Sequence, residues 1–99
     1  MALTAELQTL EALYNTLKEN VSGANTIQKS TDSSLNNAVW ESPNAQAFRQ
    51  AWADFKPSLM RFEEALAMAA TDVANNHNNN ALVNGVTDAP QLTPVAPIG

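Results

Sequence analysis

The chain contains no cysteine, which excludes disulfide frameworks and thiolate chemistry together. It is poor in cations: Lys and Arg number 5 against 10 Asp and Glu, for a formal charge of −5 and a pI near 4.5. Such a surface repels phosphate backbones and offers no basic stripe, so nucleic acid is not an expected partner. Long apolar runs are missing too. The longest plain one, Ala65-Leu-Ala-Met-Ala-Ala70, is far short of a bilayer span, and no stable membrane insertion is expected. At the amino terminus, Glu6 and Glu11 occupy the stretch that would be apolar in a signal peptide, and no basic residue precedes them. The expected itinerary is a cytoplasmic one, or export by a route that reads something other than a cleavable signal.

Groups for chemistry are equally scarce. The single histidine, His77, lies in an asparagine run and is expected to be solvent-exposed and inert. No Glu stands three residues before it, as di-metal helical sites require; Ala74 does. Glu63-Glu64 reads as a solvated face turned away from the core, with Arg61 placed to pair with Glu64 at i+3. There is no glycine-rich phosphate loop and no nucleophile beside a histidine. Catalysis, cofactors and metals are not expected.

What the sequence does have is helical periodicity. Ninety-nine residues bound it to one domain, and 44% hydrophobic with 15% charged residues is a folded composition. Leu3, Leu7, Leu10, Tyr14, Leu17, Val21, Ala24, Gln28, Thr31, Leu35 and Ala38 step by fours and threes, the seam of a long amphipathic helix. Gly23 falls inside it and softens it by about 1 kcal/mol relative to Ala. A second series runs Ala45, Phe48, Trp52, Phe55, Leu59, Phe62, Leu66, Ala69, Val73. Ser42-Pro43 in front of it is a strong helix start, the hydroxyl as cap and proline at the first position. Pro57 removes one amide inside the series, but the register continues across it, which reads as a kink in one helix rather than a break. After Val73 the asparagine run is a poor helix interior, and the Pro- and Gly-containing end reads as a flexible, extended tail.

The expected fold is therefore all-α: an antiparallel helix-turn-helix hairpin over residues 1–80, with helices at about 3–38 and 43–76, a bend at 39–43, and a disordered tail over 81–99. Two helices lack a third layer to cover their outer flanks. Leu13, Ile27, Met60 and Met68 lie off the seams and form a candidate face for a second hairpin, completing a four-helix bundle; a wider core stripe or scattered exposure is the alternative.

Both tryptophans flank the bend. Trp52 lies on the seam and is read as core. Trp40 lies at the bend itself, as a plug for the open end of the hairpin, as a recognition anchor, or both. This arrangement resembles the Trp-Xaa-Gly family of small type VII secretion substrates, the early-secreted-antigen-like proteins. Trp40 matches the motif's tryptophan and Glu41 its variable residue, while Ser42 stands where the family has glycine. Phe48 matches the aromatic that opens the second helix, and Trp52, Phe55 and Phe62 continue an aromatic seam; the likeness spans about residues 3–80. The family's Tyr-x-x-x-Asp/Glu export signal has no counterpart here: His77 and Ala81 occupy its place, and the only tyrosine is Tyr14. The resemblance implies a protein secreted from a bacterial cytoplasm as a folded dimer with itself or a related hairpin, recognised by a type VII secretion ATPase. This chain would be the member without the tyrosine signal. A coiled-coil adaptor unrelated to secretion is the rival reading. A membrane-active amphipathic protein is disfavoured by the acidic surface.

Overall fold

The computed structural model describes residues 2–98, with side chains from residue 5 onward, so the expected seam position of Leu3 lies outside the described side chains. Two helices account for the fold: α1, Ala2–Asn37, and α2, Pro43–Val83. They pack antiparallel into a rod of 62 × 19 × 17 Å, whose length is that of α2 at about 1.5 Å per residue. No helix among the described residues is long and apolar enough to cross a membrane.

Local chemistry explains where α2 begins. Ser42 is extended, at φ −173° and ψ 166°, and its hydroxyl accepts the Ala45 amide at 3.0 Å, with Pro43 opening the helix behind it. The helix then runs without interruption through Pro57. Its end lies seven residues beyond the expected one. Asparagine's weak propensity did not stop it, because Ala74, His77 and Ala81 on one face of that stretch are buried. What stops it is Gly85, at φ +67°. There the Gly85 amide donates to the Leu82 carbonyl at 3.3 Å and the Val86 amide to Ala81 at 2.9 Å, the two bonds of a Schellman motif.

The register is read from facing residues. Glu11 meets His77, Tyr14 packs with Ala74, Val21 with Ala67, and Asp32 meets Lys56, so each step up α1 is matched by an equal step down α2. On α1 the expected seam holds from Leu7 to Leu35: Leu7, Tyr14, Val21 and Ala24 are buried, and Leu10, Leu17, Gln28, Thr31 and Leu35 are half-buried, while Ala38 lies past the helix end and is exposed.

On α2 the seam differs from the expected one. Ala45, Leu59 and Leu66 are buried and Trp52 and Val73 half-buried, as expected, but the residues between them in the core are not Phe48, Phe55, Phe62 and Ala69, which are exposed. The helix turns the positions one residue later toward α1: Arg49, Lys56, Glu63, Ala70 and His77. Both choices step by threes and fours, and hydrophobicity alone favours the phenylalanines. The polar set is accepted because α1 and the bend supply partners for Arg49, Lys56 and His77 at matching heights. Glu63 is thus buried at 3% exposure, not turned to solvent, and Arg61 donates to the Ser58 hydroxyl at 3.1 Å rather than pairing with Glu64.

Residues 86–98 form no helix or strand and bend at Asp88 and Ala89, and they are docked against the hairpin rather than free of it. Tyr14 donates its hydroxyl to the Thr93 carbonyl at 2.8 Å, and Leu92 and Val95 pack on the cluster around Tyr14, Ala70 and Ala74. Branched apolar side chains at Leu92 and Val95, three residues apart between prolines, give the tail something to bury that its Pro and Gly content conceals.

Candidate functional site

The hairpin has two flanks and a tip, and the candidate residues sort among them. The tail occupies one flank, where Pro94, Val95 and Ile98 border Lys18, Val21 and Ser22 of α1. On α2 it borders Glu64, Met68 and Thr71, around an open cavity of about 700 Å³. Met68 therefore lies on the tail flank, and Met60, one turn before Glu64, projects from the same face of α2.

The opposite flank is uncovered. Phe48 lines a cavity there with Ser30, Thr31, Ser34, Leu35 and Ala38. Phe55 and Phe62 follow Phe48 at seven-residue intervals, and the 3.6-residue turn carries each about 20° further round the helix. Their exposures rise accordingly, 44%, 53% and 59%. Ile27 precedes Thr31 by one turn and Leu13 lies two heptads before it, so both belong to this flank of α1, and both are exposed. The four candidates Leu13, Ile27, Met60 and Met68 do not share one face. The first two join the phenylalanines; the two methionines lie with the tail.

At the tip, Trp40 is held by two residues of the first turns of α2. Its ring lies 6.1 Å from that of Phe48, centroid to centroid, and the Arg49 guanidinium stands 5.7 Å over it while donating to the Trp40 carbonyl at 2.9 Å. The indole remains 37% exposed, so it is fixed in place and still open to a partner. Glu41 is exposed, and Ser42 is engaged as the cap.

Behind the tip, Trp52 faces α1 through its polar edge. The indole N–H donates to Asp32 Oδ1 at 2.8 Å and Lys56 Nζ approaches both carboxylate oxygens at 3.2 and 3.3 Å. The indole bond first, then the Lys56 ammonium, outweighs the effect of burial and holds the Asp32 carboxyl below its ordinary 3.8. A carboxyl lowered in the folded state contributes stability above the unfolded value and loses it as pH falls through the folded one. The change in the environment of Trp52 is therefore expected to have its midpoint below 3.8. In a Trp40→Phe background, Trp52 fluorescence should shift with such a midpoint and lose that transition once Asp32→Asn is added; a midpoint above 3.8 contradicts the assignment.

His77 is wholly buried, contrary to its expected exposure. Its Nε2 lies 2.8 Å from Glu11 Oε2 on α1, and its Nδ1 3.0 Å from Asn78 Oδ1. The signal that would have found it is the seven-residue step from Lys56 through Glu63 and Ala70 to His77, with Glu11 and Asp32 at the same spacing on α1.

No protein-family model, curated protein or solved structure matches the chain.

Proposed function

We propose that this chain is a non-catalytic assembly subunit: a helical hairpin that pairs through its uncovered flank with a second hairpin, its own copy or a relative, and is exported folded by a type VII secretion system. The observation that carries the reading is the joint placement of a clamped, partly open Trp40 at the tip and an unlidded aromatic stripe beside it. A rod of this length, turned at a capped serine, presents Trp40 at one end, where a secretion ATPase can reach it without the bundle opening. Phe48 links the two features, touching Trp40 at the tip and beginning the stripe.

The buried His77 supports the assignment of this chain as the member without the tyrosine signal. The residue standing where the family has its tyrosine is withdrawn from the surface, and in this reading a partner supplies the signal. In a bacterium with an intact type VII system, co-expression with the partner should place the chain in the medium, and Trp40→Ala should leave it in the cells, still helical. Export of the chain expressed alone overturns the assignment as the member without the signal, and undiminished export of Trp40→Ala, or no export with the partner present, overturns the proposal and leaves the adaptor reading.

A further inference from the structure

The uncovered flank of α2 alternates large and small side chains at a fixed spacing. Phe48, Phe55 and Phe62 are exposed, and three residues after each stands a small exposed residue: Ala51, Ser58 and Ala65. Steps of three and four residues make the seam of a coiled coil, with phenylalanine in one row and Ala or Ser in the other. On the α1 side of this seam stand Trp52, Leu59 and Leu66, half-buried or buried. On its outer side the bordering charges are Asp54 and Arg61, each one residue before a phenylalanine and each exposed. Their hydrogen bonds are local: Gln50 donates to Asp54 Oδ1 at 3.0 Å, and Arg61 donates to the Ser58 hydroxyl at 3.1 Å.

This pattern complements itself in one arrangement. Two copies laid parallel set phenylalanine against phenylalanine and small against small, overfilling one layer and leaving a void in the next. Laid antiparallel about a twofold axis between Lys56 and Pro57, they set Phe48 against Ala65, Ala51 against Phe62 and Phe55 against Ser58 of the second copy. The charges select the same register. At this alignment Asp54 of each copy lies along the outer edge from Arg61 of the other; a slide of one heptad sets Asp54 against Asp54, and the opposite slide sets Arg61 against Arg61. The stretch Pro43–Ala70 then overlaps itself, about 42 Å at the helical rise. On a rod 17 Å across, that is about 700 Å² from each copy, within the size of stable interfaces, about 600 to 1,000 Å² per partner.

We propose that a second copy of the chain takes this flank when no relative is present, antiparallel along α2, with each phenylalanine seated on a small residue and Asp54–Arg61 pairs closing the outer edge; this rests on the pairing flank proposed above. The phenylalanines hold the pair together, while the exposed ion pairs add little affinity and fix partner and register. A second copy brings no tyrosine signal, so a relative that carries one must displace it from the same flank.

The test measures the dimer dissociation constant of the purified full chain by sedimentation equilibrium. Arg61→Asp and Asp54→Arg each put like charges at both outer contacts and should weaken self-pairing about tenfold. Mixing the two variants in equal amounts, or combining both changes in one chain, makes the charges opposite again and should return the constant to that of the parent. Both positions are exposed, so circular dichroism should be alike for every variant. A parent that stays at 10.6 kDa up to about 1 mM overturns self-pairing and leaves pairing with a relative standing, which the export assay reads separately. A parent that pairs while the single reversals change nothing, or a combined variant as weak as either one, overturns the register and with it the proposal.

Discussion

Tyr14→Ala is expected to destabilise the chain by about 3 to 5 kcal/mol, the range for removing a buried aromatic ring. Domains of this size have about 5 to 15 kcal/mol in all, so the loss is a large share of the total stability. The size of the effect follows from position. Tyr14 is 4% exposed and packs on Ala70 and Ala74, which are small enough to bring the helices close and leave the ring to fill the space between them. Neither alanine can expand into the vacated volume. The same ring also lies under the tail, through the hydroxyl's bond to Thr93. Tyr14→Phe separates the two roles: it keeps the ring and should cost only about 1 kcal/mol, the net value of one hydrogen bond. Urea denaturation followed by circular dichroism, with both variants side by side, reads the difference. Equal losses for the two would mean that the hydroxyl and tail, rather than the ring and helix packing, carry the stabilisation.

Phe55→Asp is expected to leave the hairpin folded and to weaken pairing about 100-fold, or about 2.7 kcal/mol, the scale of a central aromatic in an interface. Phe55 is 53% exposed, so the single hairpin loses little when it is replaced. It is also the middle phenylalanine of the stripe, where a buried carboxylate in a paired state would be least tolerable. Light scattering behind a sizing column should find the parent chain, or its mixture with a partner hairpin, near twice 10.6 kDa and the variant at the single mass. Met68→Asp is the control. It places the same charge on the tail flank and should leave the mass unchanged; a loss of pairing from Met68→Asp alone would put the interface on the wrong side.

Most of the hairpin was legible in the sequence, for reasons that individual residues make plain. The α1 seam was readable because its apolar side chains alternate with plainly polar ones, and the start of α2 because Ser42 and Pro43 have no better use than the one they serve. The α2 seam was half legible. Ala45, Leu59 and Leu66 belong to either of two registers, and the choice between Phe55 and Lys56 depends on Asp32, a residue of the other helix. Periodicity within one segment contains no information about that. His77 was missed in the same way, since its burial is explained by Glu11, far away in sequence. The tail was misread because composition reports how easily a segment stays unfolded, not whether Thr71 and Asn78 are spaced to hold it. Of the candidate site, Trp40 and the phenylalanines were named from sequence, but the flank they share with Ile27 and Leu13 emerges only from the register.

The docked tail has a consequence for valence. A bare two-helix rod is adhesive on both long sides, and units adhesive on two sides stack without limit. Here one side is already taken by the chain's own end, so each rod offers a single sticky side. Two such rods that meet across it, related by a twofold axis or its approximation between relatives, satisfy one another and leave nothing for a third. In the pairing proposed above, thirteen residues that add no helix would thus set the stopping point of growth: closed pairs rather than filaments.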